Sequence, residues 1–337
     1  MSSIAFGAAK RLVWALTVVF GVASAAFFAT ALLPGDPLRA LMGPQAREAD
    51  LERARVERGL DRPLAERYLR YVGRLVHRAR PPSESDAHTG CASIAPGLHV
   101  DLGHSFSYRQ PVAKLVAKKL PATLELALVA TLLQLALGLT LGSIAATGRG
   151  RARDDATMGV AALLSAAPTF VVGLLLQHFF AYRLGWFPLD GYGATAGERL
   201  AAITLPALTL GIWGSALFAR LWRAELGDAL TGEPVRAARA RGASRLRAAL
   251  VHAVRPALGP VVQLTVLDLG ALVGGAIVTE RIFRWPGLGE MAVVAIQNRD
   301  AQAVVGVTLV ASSAIVLATW VADVLGLLLD PRLRRER

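Results

Sequence analysis

Six stretches of this chain are long enough and free enough of charge to cross a lipid bilayer, and this constrains its architecture before any motif is considered. Five carry no charge, Leu12–Gly35, Leu126–Gly148, Ala156–Tyr182, Leu200–Ala219 and Ala301–Ala322; the sixth, Pro256–Thr279, is interrupted only by Asp268. A helix needs about 20 apolar residues to cover the hydrocarbon core. Only 18% of residues are charged and 54% are hydrophobic, against about a quarter charged in a soluble domain. A soluble enzyme is excluded, and the chain reads as an all-α integral membrane protein with six transmembrane helices.

The net charge of +12 would raise nucleic acid as a partner in a soluble protein. Here the positives cluster as loops on the cytoplasmic side do. Lys10 and Arg11 precede the first window, Arg149, Arg151 and Arg153 follow the second, and Arg220, Arg223, Arg236, Arg239, Arg241, Arg245, Arg247 and Arg255 lie between the fourth and fifth. The tail ends in Arg332, Arg334, Arg335 and Arg337. With six spans these segments share one side, whereas the loops Arg183–Arg199 and Glu280–Asp300 are near neutral. The expected topology has both termini in the cytoplasm and no nucleic-acid partner. The first apolar run exceeds the roughly 7–15 residues of a signal-peptide core and reads as an uncleaved span. A single cysteine, Cys91, forbids an intrachain disulfide.

Between the first two spans, Leu64, Tyr68, Val72 and Leu75 recur at helical spacing, predicting an amphipathic helix packed on the membrane domain. From Arg78 to Val100, Pro81, Pro82, Ser83, Ser85, Gly90 and Pro96 break periodicity, and a flexible loop is expected. His77, His88, His99, His104 and Cys91 cluster nearby, but their spacings match no zinc pattern, so no metal site is expected. Gly138-x-x-x-Gly142 and Gly270-x-x-x-Gly274 are small-residue patterns that let helix backbones approach closely in lipid.

No nucleotide loop of the form G-x-x-x-x-G-K-[ST] is present. Gly287-Leu288-Gly289 follows Trp285-Pro286 in a short loop rather than a strand, so it is no dinucleotide fingerprint. No H-E-x-x-H pattern occurs, and no catalytic residues are expected. Two features could serve transport. Asp268 sits in mid-span, where an ionised group costs roughly 2.5–3.5 kcal/mol on insertion scales, and such groups face a bundle interior or a water-filled path. It lines a translocation route or makes a polar contact to a neighbour. Gln263 lies five residues earlier, roughly 140° round the helix, so the two need not share a face.

The other feature lies between the fourth and fifth spans. Thr231 can cap a short helix that Glu233 and Pro234 begin. Gly242 suits a left-handed end, and Ser244 can cap a second helix toward His252. This helix–elbow–helix would either lie in a groove on a partner protein or touch anionic headgroups.

Taken together, these residues resemble the permease subunits of ABC importers for dipeptides, oligopeptides and nickel. The resemblance runs nearly the whole length: Leu32-Leu33-Pro34-Gly35-Asp36-Pro37, Asp101-Leu102-Gly103-His104-Ser105, Pro111-Val112, Leu120-Pro121-Ala122-Thr123-Leu124 and Leu205-Pro206-Ala207-Leu208-Thr209-Leu210-Gly211. It continues through Glu280, Phe283, Pro286-Gly287-Leu288-Gly289, Arg299-Asp300 and Leu329-Asp330-Pro331-Arg332. Its strongest element is Val235-Arg236-Ala237-Ala238-Arg239-Ala240-Arg241-Gly242-Ala243-Ser244 with His252 and Pro260 downstream, similar to the family's ATPase-coupling loop. Arg236 stands where the general signature has Glu, and Pro234 and Pro256 where the family often has Tyr and Asn. Residues 78–100 look like an insertion.

The resemblance implies a type I importer permease in the bacterial inner membrane. The implied partners are a second homologous permease, two ATP-binding subunits holding ATP and Mg, and an extracytoplasmic solute-binding protein; this chain binds no cofactor. The expected organisation is a first span over 1–35, an extracytoplasmic segment over 36–120 and a permease core over 121–337 with its coupling loop at 220–256. A peptide is the expected cargo, with nickel or another small solute as the alternative. An ion-coupled secondary transporter is the reading from another class, against which stand the single membrane carboxylate and the lack of paired repeats.

Overall fold

A computed structural model describes residues 2–32, 38, 42, 45–57, 59–75, 77–78, 92–95, 98–105 and 107–329. The chain divides into two compact units, Met1–Ala122 with Pro286–Ser313, and Thr123–Trp285 with Ala314–Arg337. Among the described residues five helices are long and apolar enough to cross a membrane, or up to six if one bent pair counts as a single span.

The first unit begins with α1 (Ser2–Leu32), α2 (Glu48–Glu57) and α3 (Leu64–Leu75). The amphipathic helix expected here is α3. The hydroxyls of Tyr68 and Ser24 lie 2.7 Å apart, the Tyr71 ring stacks on Phe27 at 5.1 Å, and Leu75 joins a cluster with Ala23, Val305 and Leu309. Glu66 pairs with both Arg62 and Arg70 at 2.6 Å. Burial pushes the Tyr71 phenol up to about 12, with Tyr68 adding to the shift.

The expected loop at 78–100 is instead paired at both its described ends. Strands β1 (His77–Arg78), β2 (Ala92–Ala95) and β3 (Leu98–Val100) form an antiparallel sheet in the order β1-β3-β2. Residues that cannot continue a helix can still satisfy their backbone groups across a turn. Residues 79–91 and 96–97, including His88, Cys91 and the prolines, lie outside the described residues, as do the motif at Leu33–Pro37 and the tail from Asp330.

Strands β4 (His104–Ser105) and β5 (Gln110–Pro111) pair before α4 (Val112–Thr147). Asp300 organises this corner from a buried position. Its Oδ2 accepts from the Ser105 hydroxyl at 2.5 Å and the Ser107 N–H at 3.0 Å, and its Oδ1 from the Ala303 N–H.

The second unit takes α4 from Thr123 onward, then α5 (Ala152–Ala166), α6 (Thr169–Leu176) and a π-helical turn (Gln177–Arg183). The window Ala156–Tyr182, expected as one span, falls on a helix pair bent by 88°. Pro168 lacks an N–H and drives its predecessor out of the helical region; Ala167 sits at φ −79°, ψ 138°. Next comes α7 (Ala196–Thr231), opened by a capping box between Thr195 and Glu198.

Both glycines of the first small-residue pattern seat helices. A methyl group at Gly138 would lie 2.5 Å from the Phe218 Cβ and 2.9 Å from the Ser215 carbonyl, and one at Gly142 would lie 2.7 Å from the Ala219 carbonyl, so α4 meets α7 backbone to backbone. Gly138→Val is expected to cost about 1–3 kcal/mol of overpacking, read as a lowered melting midpoint of the detergent-solubilised protein; an unchanged midpoint would show that this contact is not tight.

Candidate functional site

Helix α7 continues for 12 residues beyond the uncharged window that ends at Ala219, a projection of about 18 Å. It stops at Thr231, whose hydroxyl donates back to the Asp228 carbonyl at 3.0 Å. The cap expected from Thr231 is therefore not made. The turning residue is Gly232 (φ −69°, ψ 160°), and Glu233 and Pro234 begin α8 (Glu233–Ala240). The other end of α8 has the expected form: Gly242 is left-handed at φ 89°. The Gly242 N–H donates to the Arg239 carbonyl at 3.0 Å and the Ala243 N–H to the Ala238 carbonyl at 3.1 Å, a Schellman pair that closes the helix. Ser244 then accepts from the Arg247 N–H at 3.3 Å and caps α9 (Arg245–Ala248). A π-helical turn (Ala249–Ala253) carrying His252 leads into α10 (Val254–Gly275).

The elbow is two-faced. Val235 and Ala238 are buried with Phe218, Trp222, Leu226, Ala248, Ala253, Ala257 and Val261. Arg236, Ala237, Arg239, Ala240, Arg241, Gly242 and Ser244 are exposed, with Ala243 and His252 between. Among the described contacts only Arg236 of these arginines is tied back, its Nε donating to the Thr231 carbonyl at 3.0 Å. Chemically this is a basic, small-residue ridge held to its own bundle by two apolar side chains one turn apart. Such a ridge fits a groove with a carboxylate rim.

Within the bundle, α10 sends its two polar residues to different neighbours. A methyl group at Gly326 of α11 (Ala301–Leu329) would touch the Gln263 amide at 3.1 Å, whereas Asp268 is beside Gln134 of α4. Gln134 is 1% exposed. Its amide nitrogen donates to the Leu210 carbonyl at 3.3 Å, and it lies over Gly214, where any side chain would collide with it. The Gln134 Oε1, the Thr131 Oγ1 and the Asp268 Oδ2 are all buried without a hydrogen-bond partner. An unsatisfied buried polar group costs about 1–3 kcal/mol; with Thr131 and Gln134 three residues apart on α4 and Asp268 beside Gln134, these atoms mark a polar niche in an apolar environment. Sequence reasoning missed Gln134, although it is the only amide side chain in the window Leu126–Gly148.

A third cluster closes another part of the second unit. Thr123 Oγ1 donates to the wholly buried Glu280 carboxylate at 2.7 Å, and the Trp285 N–H donates to the Glu280 carbonyl at 2.8 Å. The Trp285 ring takes Tyr192 edge-on at 4.7 Å, and the Tyr192 hydroxyl donates to Glu125 at 2.7 Å. Burial, reinforced by Glu125, holds the Tyr192 phenol above its ordinary value. Among the described residues no group of three histidine, cysteine or carboxylate side chains could hold a metal ion; His77 and His99 stand opposite each other across β1 and β3.

Residues 138–335 match the family described as the binding-protein-dependent transport system inner membrane component, and residues 6–127 match the N-terminal part of such membrane components. The glutathione transport system permease protein GsiC of Escherichia coli O6:H1 is 34% identical over 325 residues, covering 96% of this chain and 97% of the relative. The di/tripeptide transport system permease protein DppB of Pseudomonas aeruginosa is 34% identical over 353 residues, covering 98% of each. A chain of the MetNI methionine ABC transporter in an inward-facing conformation superimposes with a TM-score of 0.53 at 18% identity. That likeness covers 65% of this chain and 98% of the other, and concerns the fold alone.

Proposed function

This chain belongs to the inner membrane components of binding-protein-dependent transport systems, and from that premise we propose that it carries a peptide inward across the bacterial inner membrane, driven by ATP hydrolysed on separate subunits. It lies in the membrane with both termini and the 231–244 elbow in the cytoplasm. A second, homologous permease completes the pore, two ATP-binding subunits dock beneath, and a solute-binding protein delivers cargo from outside. ATP and Mg belong to the ATP-binding subunits; this chain supplies pathway and docking ridge, and no catalytic group.

The observation that carries the reading is the elbow. A chain without a nucleotide loop can be driven by ATP only through a contact whose strength differs between its conformations. The ridge formed by Arg236, Arg239 and Arg241 around Gly242 is exposed and braced from behind by Val235 and Ala238, as such a contact requires. Peptide is favoured as cargo because the relatives bearing glutathione and di/tripeptide in their names match this chain end to end. Within the membrane, Asp268 and Gln263 of α10 face the path.

The complete transporter in sealed vesicles, with a radiolabelled dipeptide as probe, is expected to accumulate it only with ATP and to be indifferent to an ionophore. Accumulation without ATP that collapses with the ionophore would instead establish an ion-coupled secondary transporter. ATP-driven accumulation of radiolabelled nickel ions with none of the dipeptide would replace the peptide with a metal cargo.

A further inference from the structure

The part of α7 that projects toward the elbow is fastened to its neighbours by three polar contacts, each to a residue far away in sequence. The Trp222 indole N–H donates to the Ser143 hydroxyl near the end of α4 at 2.8 Å. Arg223 grips Asp154 of α5 with two nitrogens, Nε to Oδ1 at 2.5 Å and Nη2 to Oδ2 at 2.6 Å. Arg149, in the turn between α4 and α5, donates to Asp228 at 2.6 Å and lies against Gly227, where a methyl group would meet its Nη1 at 3.0 Å.

The Arg223–Asp154 pair differs from an ordinary surface ion pair, whereas Arg149 and Asp228 meet at the exposed surface. Asp154 is 1% exposed, and its Oδ2 also accepts from the Gly150 N–H at 3.2 Å. The same carboxylate therefore fixes the α4–α5 turn and the guanidinium of α7. A bidentate arginine–carboxylate pair fixes orientation as well as distance. Trp222 belongs to both systems, packing in the cluster that buries Val235 and Ala238 of the elbow while bonding to α4. Farther along, α5 and α7 meet through the small residues Ala161, Ala216 and Ala219, which permit close approach and rigid seating.

We propose that Asp154, Arg223, Arg149 and Asp228 form a latch that makes the end of α4, the start of α5 and the projecting end of α7 a single lever, so that displacement of the elbow reaches α4 and α5 instead of being absorbed by bending of α7. This deepens the reading of the elbow as the ATPase contact and rests on it. The four are positioning residues: none touches cargo or nucleotide. Without the latch, the ATP-binding subunits still dock on Val235–Ser244 and hydrolyse ATP, but their motion is dissipated before it reaches the second and third spans.

The test uses the complete transporter in vesicles, reading ATP hydrolysis and dipeptide uptake together. Asp154→Asn keeps the side-chain shape but removes the charge Arg223 grips; it is expected to leave hydrolysis within about twofold and lower uptake per ATP by about tenfold, a normal size for a coupling effect. In a second arm, Arg149→Cys and Asp228→Cys, with Cys91→Ser, are joined by a short bifunctional thiol reagent. A lever that moves as one body tolerates this bridge, so uptake should persist, and bridging should restore uptake to the Asp154→Asn chain.

Parent-like coupling in Asp154→Asn overturns the proposal, as does arrest of uptake by the bridge, which would mean that these segments slide past each other. If Asp154→Asn fails to assemble, the bridge alone decides: continued uptake supports the lever and arrest refutes it. Absence of ATP-driven uptake in the unaltered transporter would remove the underlying reading as well, and so is distinguishable from failure of the latch alone.

Discussion

Reversing the charge at Arg239 and Arg241 together is expected to reduce ATP-driven uptake at least about a hundredfold while leaving the membrane protein folded. Both side chains stand on the outer face of the elbow, and no described carboxylate pairs with either. The contacts that fold α8 belong to Val235, Ala238 and the backbone closure at Gly242, which the substitutions leave alone. What they change is the docking face. Like charges brought together across an interface cost several kcal/mol, and about 1.4 kcal/mol is a factor of ten in affinity, so two reversals exceed a hundredfold. Neutral Arg239→Gln should fall between parent and reversal, and its deficit should shrink as salt rises, because screening weakens what the arginine contributed. Uptake and hydrolysis by the reconstituted complex are the measurements. Near-parent values for the double reversal would mean that the elbow meets lipid or solvent and not a motor subunit.

Gly242→Pro attacks the same contact by another route. Proline is confined near φ −65°, whereas Gly242 sits at +89° and donates its N–H to Arg239. The elbow would re-aim without any change in charge, so its loss of coupling should not respond to salt. The contrast between the two variants separates the electrostatic from the geometric part of docking.

The elbow was legible because its chemistry is local: a proline in the first turn, a glycine at the left-handed end and a serine cap lie within a dozen residues and act on their immediate neighbours. Thr231 misled for an equally local reason. Its hydroxyl can bond forward as a cap or back to Asp228, and the continuation of α7 decided for the latter. The apolar windows were legible too, but a window reports only hydrophobicity, and the 88° bend in the third came from Pro168. Residues 78–100 carry breaker residues that exclude a helix without excluding strands, hence the unforeseen β sheet. The Asp154–Arg223 pair spans 69 positions, and nothing near either residue names the other; only the fold brings them together.

The largest effect expected inside the membrane is that of Asp268→Asn, which should cut uptake about 10- to 100-fold with hydrolysis and assembly retained. A hydrogen bond to a charged group is worth about 1.5–3 kcal/mol, or roughly one to two powers of ten, and Asp268 is the single carboxylate in its span. A purely structural role predicts otherwise. Asparagine would offer the neighbouring Gln134 a donor as well as an acceptor, and Gln134 Oε1 lacks a donor, so the bundle should become more stable and uptake should stay unchanged. Stability and transport therefore move in opposite directions if the carboxylate serves the path. Gln134→Leu completes the comparison by removing the niche's amide without touching the charge. If Asp268 acts on the cargo itself, this variant should keep uptake per ATP within about threefold, a difference below 1 kcal/mol. A loss equal to that of Asp268→Asn would mean that the two side chains work as one unit and that the niche, not the carboxylate alone, is what the cargo meets.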